Sequence, residues 1–255
     1  MALRSYQAVK TALLATPIAF AAFSNTAHAD VVGGEVSVSY WSAGYGGDVT
    51  DRQTKQTIDL EQDLNFDSSS FVEFSAAIEH PIPVLPNLKL KHIDLDDSAD
   101  GALSVTVFDG VTFSGDVASD LDLTHSSAIL YYEVLDNVVS LDLGLEIKLF
   151  DGQLRIEDKT TNLVSETKID DPIPLAYVAA DVDLPLTGLT VGAELSAIGY
   201  SGNRLLDARA AVRYSMGLLF VEGGYRTMQI TVDDVNDVDV DADLSGAFIS
   251  TGIDF

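Results

Sequence analysis

The sequence predicts a closed antiparallel up-and-down β-barrel that spans a membrane, with about ten strands, preceded by a cleavable export signal. Three observations predict it: a signal pattern at the start, long runs of strict two-residue alternation, and an aromatic residue at the chain end.

The signal comes first. Arg4 and Lys10 give a basic start, Ala12 to Phe23 an apolar core, and Ala27-His28-Ala29 a small-x-small site before Asp30. The apolar run is shorter than the about 20 residues a helix needs to cross a bilayer. It therefore reads as a signal peptide over 1–29, removed after Ala29, with one barrel domain over 30–255. Removal takes two of the 14 basic residues and none of the 40 acidic ones, which moves the formal charge from −26 to −28. Such a surface repels nucleic acid, which is excluded as a partner. The chain has no cysteine. An exported fold without disulfides must draw its stability from a large core or from closing a sheet on itself.

The strands are long. Val139, Leu141, Leu143, Leu145, Ile147 and Leu149 alternate with Ser140, Asp142, Gly144, Glu146 and Lys148. Leu189 to Ala197 and Leu206 to Tyr214 repeat the pattern. A soluble strand averages about 5 to 6 residues, a tilted membrane strand about 9 to 11. Tight links at Leu135-Asp136-Asn137, Pro185 to Gly188 and Ser215-Met216-Gly217 alternate with long ones at Asp151–Asp171 and Val232–Asp239, as in an outer-membrane barrel. Ile249, Thr251, Ile253 and Phe255 share one face of the last strand. Ile253 and terminal Phe255 are therefore expected to form the signal read by the barrel assembly machinery.

Strands are expected near 34–43, 70–80, 88–97, 119–134, 138–150, 173–184, 189–200, 205–214, 218–231 and 240–255. If Thr57–Leu64 also spans, the count becomes twelve. Two strands change their apolar face partway: Leu121 and Leu123 give way to Ala128 and Leu130, and Val238 to Leu244 give way to Ala247 and Ile249. A bulge near Thr124–Ser127 and another near Ser245–Ala247, helped by Gly246, would restore the register.

The stretches Glu79-His80-Pro81-Ile82-Pro83-Val84-Leu85-Pro86-Asn87 and Leu130-Tyr131-Tyr132-Glu133-Val134-Leu135-Asp136-Asn137, with Tyr40-Trp41 and Phe255, resemble a family of small uncharacterised proteobacterial outer-membrane β-barrel proteins. It is the "outer membrane protein with Gly-Gly" type, and Gly46-Gly47 stands for its motif. The resemblance implies a barrel in the cell outer membrane and carries over no catalytic residue. The last strand departs from the family pattern at Ser250, where a glycine is usual.

The polar face of the strands carries Glu133, Asp142, Glu146, Lys148, Asp181, Asp183, Glu194, Asp207, Arg209, Arg213, Glu222 and Arg226. They are read as a packed charge network that plugs the lumen, in preference to an ion-selecting eyelet, because small barrels leave room only for side chains. Gly144 on that face is expected to accept serine at little cost. Asp237, Asp239, Asp241 and Asp243 alternate on one strand face and do not converge as a calcium loop would. They read as a solvated acidic rim, with no metal and no cofactor. His125 with Ser126 and Ser127 is the one candidate for nucleophilic chemistry, and no Gly-x-Ser-x-Gly elbow accompanies it. Tyr40, Trp41, Tyr131, Tyr132, Tyr177, Tyr214 and Tyr225 are read as interfacial girdle residues. The expected protein is a monomeric structural or interaction barrel with acidic outer loops, in contact with outer-membrane lipids and lipopolysaccharide. A narrow diffusion channel is the alternative, and a lipid-modifying enzyme ranks below both.

Overall fold

A computed structural model describes residues 32–255 except 109, 171 and 236; the expected signal peptide lies outside the described residues. Apolar and β-branched residues recur at every second position, a pattern that favours a pleated, half-buried strand. The described residues accordingly hold fifteen strands and no helix. They are β1 (Gly33–Asp51), β2 (Thr57–Asp59), β3 (Ser69–Glu79), β4 (Asn87–Asp94), β5 (Asp96–Phe108), β6 (Val111–Asp122), β7 (His125–Leu135) and β8 (Val139–Phe150). Then follow β9 (Gly152–Asp158), β10 (Val164–Ile169), β11 (Pro172–Leu184), β12 (Leu189–Tyr200), β13 (Asn203–Met216), β14 (Leu219–Val235) and β15 (Val238–Asp254).

Ten of them close into a barrel in the order β15-β14-β13-β12-β11-β8-β7-β4-β3-β1, with β1 pairing back onto β15. The segment Thr57–Leu64 does not span. Its β2 lies along the outer end of β1, and Leu60 and Leu64 then turn into the core. A second sheet, β10-β9-β6-β5, stands above four of the barrel strands. It continues them in the same register: Ile93 faces His125 below and Asp96 faces Asp122 above, while Phe150 faces His125 below and Gln153 faces Asp122 above. The stretch Asp151–Asp171, expected as a loop, is thus largely the β9–β10 hairpin, and Val232–Asp239 is largely the tip of the β14–β15 hairpin.

The face changes have a different cause from the one expected. On the continuous strand β8–β9, the even residues point inward throughout: Glu146, Lys148 and Phe150, then Leu154, Ile156 and Asp158. The odd residues point outward: Leu143, Leu145, Ile147 and Leu149, then Asp151, Gln153, Arg155 and Glu157. The same holds from Val117 to Tyr131 and from Ala242 to Ser250, where one face stays buried and no register shift occurs. What inverts is the surroundings. In one half of the barrel the outside is apolar and the inside charged; in the other, the inside is apolar and the outside polar. Neither expected bulge exists, and the irregularities fall at Leu103/Thr106, Glu133/Leu135 and Val232/Val235. Gly246 serves a close approach, since a Cβ there would lie 1.8 Å from the Ser42 carbonyl oxygen.

The apolar interior of the outer half is a core like that of a soluble protein. Trp41, Tyr45, Phe66, Phe71, Phe108, Phe113, Phe150, Met228 and Leu244 are all buried in it. The 60–66 segment caps the β5 edge: Ala102 N–H donates to Asp63 O, and Asn65 Nδ2 to Asp100 O.

The charged lumen as candidate functional site

Inward positions of the other half bring acids and bases from distant strands together. Glu194 on β12 receives Lys89 Nζ at 2.8 Å and also Lys91, both from β4 across the lumen, and the Tyr177 hydroxyl donates to it at 3.1 Å. Glu73 on β3 accepts from Arg226 at 2.7 Å and pairs with Arg209 at 3.5 Å. Asp207 takes both Arg226, at 2.8 Å, and Lys148, at 2.9 Å, and Lys148 also meets Glu146 at 3.0 Å. Glu222 holds Arg209 at 2.5 Å and Arg213 at 3.1 Å, and Arg213 reaches on to Glu35 of β1 at 2.7 Å. Each guanidinium also covers an aromatic face: Arg209 on Phe248, Arg213 on Phe220 and Arg226 on Trp41, at 4.5, 4.0 and 4.6 Å from the ring centres. Such stacking desolvates the cation while it keeps its carboxylates.

Of the residues expected to line the lumen, Glu146, Lys148, Glu194, Asp207, Arg209, Arg213, Glu222 and Arg226 are joined in this network. Glu133 lies nearer the turn-bearing end and accepts from Asn87 Nδ2 at 2.9 Å. Asp142 stands opposite Glu133 on the neighbouring strand, and its Oδ1 has no hydrogen-bond partner among the described residues. Asp181 pairs in register with Gly192, and Asp183 sits at the exposed end, bonded by Thr190. Glu35, Glu73, Lys89 and Lys91 were not among the expected set, although each alternates with an outward apolar neighbour in the same way.

Three girdle assignments are corrected. Trp41, Tyr131 and Tyr177 point inward and are buried, whereas Tyr40, Tyr132, Tyr214 and Tyr225 are exposed on the outer face. Tyr131 and Tyr177 both lie in register with Gly144 between them, and their ring centres are 6.1 Å apart. A Cβ on Gly144 would lie 2.3 Å from the Leu130 carbonyl oxygen, so serine there is not the mild change expected. The expected pairing of His125 with its serine neighbours also dissolves. His125 is buried against Lys148 and Phe150, and Ser126 points to the opposite face.

With every strand paired to two neighbours and the apolar face outward, the ten-stranded tube can be set beside known structures. The outer membrane protease OmpT from Escherichia coli matches with a TM-score of 0.55 at 7% identity, covering 92% of this chain and 99% of that one. The architecture is that of an outer-membrane β-barrel. A Pseudomonas aeruginosa FadL homologue matches at a TM-score of 0.39 and 11% identity, over 89% of this chain and 90% of that one. Neisserial surface protein A matches at 0.34 and 12%, over 87% and 97%. No family model matches the sequence, and no curated protein matches it.

In such a barrel the tight turns lie on the periplasmic side and the longer hairpins outside. The acidic rim of the sequence therefore lies on the outer hairpins. Asp237, Asp239, Asp241 and Asp243 belong to β15 or its tip, and Asp239 and Asp237 are engaged by Arg52 and Gln53. Other outer aspartates cap turns. Asp51 accepts from the Gln53 and Thr54 amides, Asp59 from Glu61 and Gln62, and Asp158 from Thr160 and Thr161. The described residues hold no group of three or more potential ligands placed for a metal ion.

Proposed function

We propose that this is a monomeric integral protein of the cell outer membrane whose lumen is sealed, with a structural or interaction role carried by its acidic outer half. The observation that carries the reading is the set of ion pairs that cross the lumen. Lys89 and Lys91 of β4 meet Glu194 of β12, and Arg209 of β13 meets Glu73 of β3, strands four places apart around the wall. Above these bridges the buried core around Trp41 and Phe71 fills the outer half. A solute would have to break ion pairs and then enter a packed apolar interior.

The partners follow from the surface. Tyr40, Tyr132, Tyr214 and Tyr225 suit lipid head groups, and the outer carboxylates suit divalent ions shared with lipopolysaccharide. Ile253 and Phe255 face outward on the closing strand, as a signal for the assembly machinery requires. Within the Gly46-Gly47 pair, Gly47 is held at a φ of 104°, where a Cβ would lie 2.1 Å from the Asp241 carbonyl oxygen. Planar-bilayer recording tests the sealed lumen. The refolded protein should show no stable conductance steps, and the double change Glu73→Gln with Glu194→Gln should introduce them. Steady conductance of the unaltered protein would identify a diffusion channel instead.

A further inference from the structure

The lipid-facing wall carries a polar cluster that the lumen does not explain. One cross-strand row runs Phe74, His92, Ser126, Leu149 over β3, β4, β7 and β8. Phe74 and Leu149, at its ends, are 57% and 51% exposed. The row beneath is Ala76, Leu90, Ala128 and Ile147, apolar throughout. One step further out stand Val72 and Asp94, beside Thr124 and Asp151. His92 and Ser126 therefore occupy the last apolar row of the belt, at the boundary where acyl chains meet head groups.

Within that row the side chains are joined. His92 Nδ1 lies 2.9 Å from the Ser126 hydroxyl and Nε2 lies 3.2 Å from Asp94 Oδ1, so that in the tautomer protonated at Nε2 the hydroxyl donates to Nδ1 and Nε2–H to the carboxylate. All three are exposed on the outer surface. An ionisable side chain in a membrane-facing position is costly and marks a site. A hydroxyl held by an imidazole, which is itself oriented by a carboxylate, is the arrangement that activates a serine. Strand geometry explains the assembly: His92 and Asp94 are two apart on β4 and share a face, and Ser126 is directly opposite His92.

We infer that Ser126, His92 and Asp94 form an acyl-transfer site facing the outer leaflet, with the carboxylic ester of a membrane lipid as its substrate class. Ser126 Oγ attacks the ester carbonyl carbon while His92 Nδ1 takes its proton. The bond to the lipid alcohol breaks, and the proton on His92 passes to the departing oxygen, giving a lysolipid alcohol and acyl-Ser126. A water deprotonated by His92 then attacks the acyl ester, releasing a fatty acid and restoring Ser126. Asp94 is a positioning residue that holds the imidazole. Residues 125–127 are paired on both sides by β4 and β8, so their amides are committed to the ladders and the developing oxyanion is left to water. Acylation and deacylation both pass through such an oxyanion, so both steps are slow.

The full chain refolded in detergent, with its fold verified by heat-modifiable gel mobility, is treated with a fluorophosphonate probe and the adduct is mapped. Wild type should be labelled at Ser126 and Ser126→Ala should not. His92→Ala should react about 10²-fold more slowly, and Asp94→Asn should show a smaller reduction that Asp94→Glu partly recovers. The folded protein is next placed in vesicles of phosphatidylethanolamine and phosphatidylglycerol, or in vesicles containing lipopolysaccharide. Fatty acid released from one and not the other identifies the ester. A folded barrel without label at Ser126, or with a His92→Ala variant labelled as fast as wild type, overturns the site. Label at Ser126 without acyl loss from either vesicle overturns the lipid ester as its substrate.

Discussion

Glu73 is 3% exposed and meets two guanidiniums, Arg226 and Arg209. Removing one partner from such a set leaves buried charge uncompensated, so Glu73→Ala should destabilise the barrel by about 3–5 kcal/mol, measured by urea unfolding in lipid vesicles. Gly144→Ser should cost about 1–3 kcal/mol by overpacking against the Leu130–Tyr131 backbone. A cost near zero would place the tyrosine pair elsewhere. Asp158 has its carboxyl held below the usual range by amide hydrogen bonds from Thr161 and Thr160, with Ser114 adding another. A lowered folded value stabilises above the unfolded value and loses that stability as pH falls through the folded one. Protection of the amides in the 159–163 turn, relative to their intrinsic exchange at each pH, should therefore fall in acid below the usual carboxylate range, and Asp158→Asn should remove that dependence. Much of this was legible in the sequence at single residues. Adjacent strand residues face opposite ways, so of Tyr40-Trp41 and Tyr131-Tyr132 only one each can sit in a lipid girdle. The same rule places Lys89 and Lys91 opposite Leu88 and Leu90. The tyrosine pair flanking Gly144 was not legible, because it needs the register between three strands.

At the level of strands, the seam between β1 and β15 closes the tube, and its last contacts are the paired backbone bonds between Gly34 and Phe255, at 2.7 and 2.9 Å. Phe255 also lays its ring over Gly34, where a Cβ would lie 2.9 Å from it. Deleting Phe255 exposes strand-end groups to lipid, at several kcal/mol per unsatisfied group, and should lower outer-membrane levels more than any single outer-hairpin change; unchanged levels would refute this. On β8, Leu145 is 62% exposed in the apolar belt. Leu145→Arg should cost about 2–4 kcal/mol, whereas Gln153→Arg, on the same face of the same continuous strand but above the belt, should cost almost nothing. Strand positions and the count of ten follow from alternation and turn signals alone. The outer extensions were hidden because an apolar residue at an inward position of the outer half has the same parity as a charge below it. Periodicity reports which residues share a face; it does not report what that face touches.

Over the whole molecule, two fillings of opposite character are stacked in one tube. The outer half has a dry core of its own, so its integrity depends less on lipid than that of the belt. In detergent that strips lipid, amide exchange should remain slow around Ile156 and Leu244 while it rises around Leu145 and Val191. The continuity of β4–β5, β6–β7, β8–β9 and β10–β11 has a mechanical consequence. A load applied at the outer tip of the β9–β10 hairpin runs parallel to the strands and pulls their ladders in shear, all bonds sharing the force. A load applied at the carboxyl end at right angles to the strands instead peels β15 away from β14 and β1 one pair at a time. The protein is therefore stiff along its strands and comparatively easy to unravel when its carboxyl end is pulled across them.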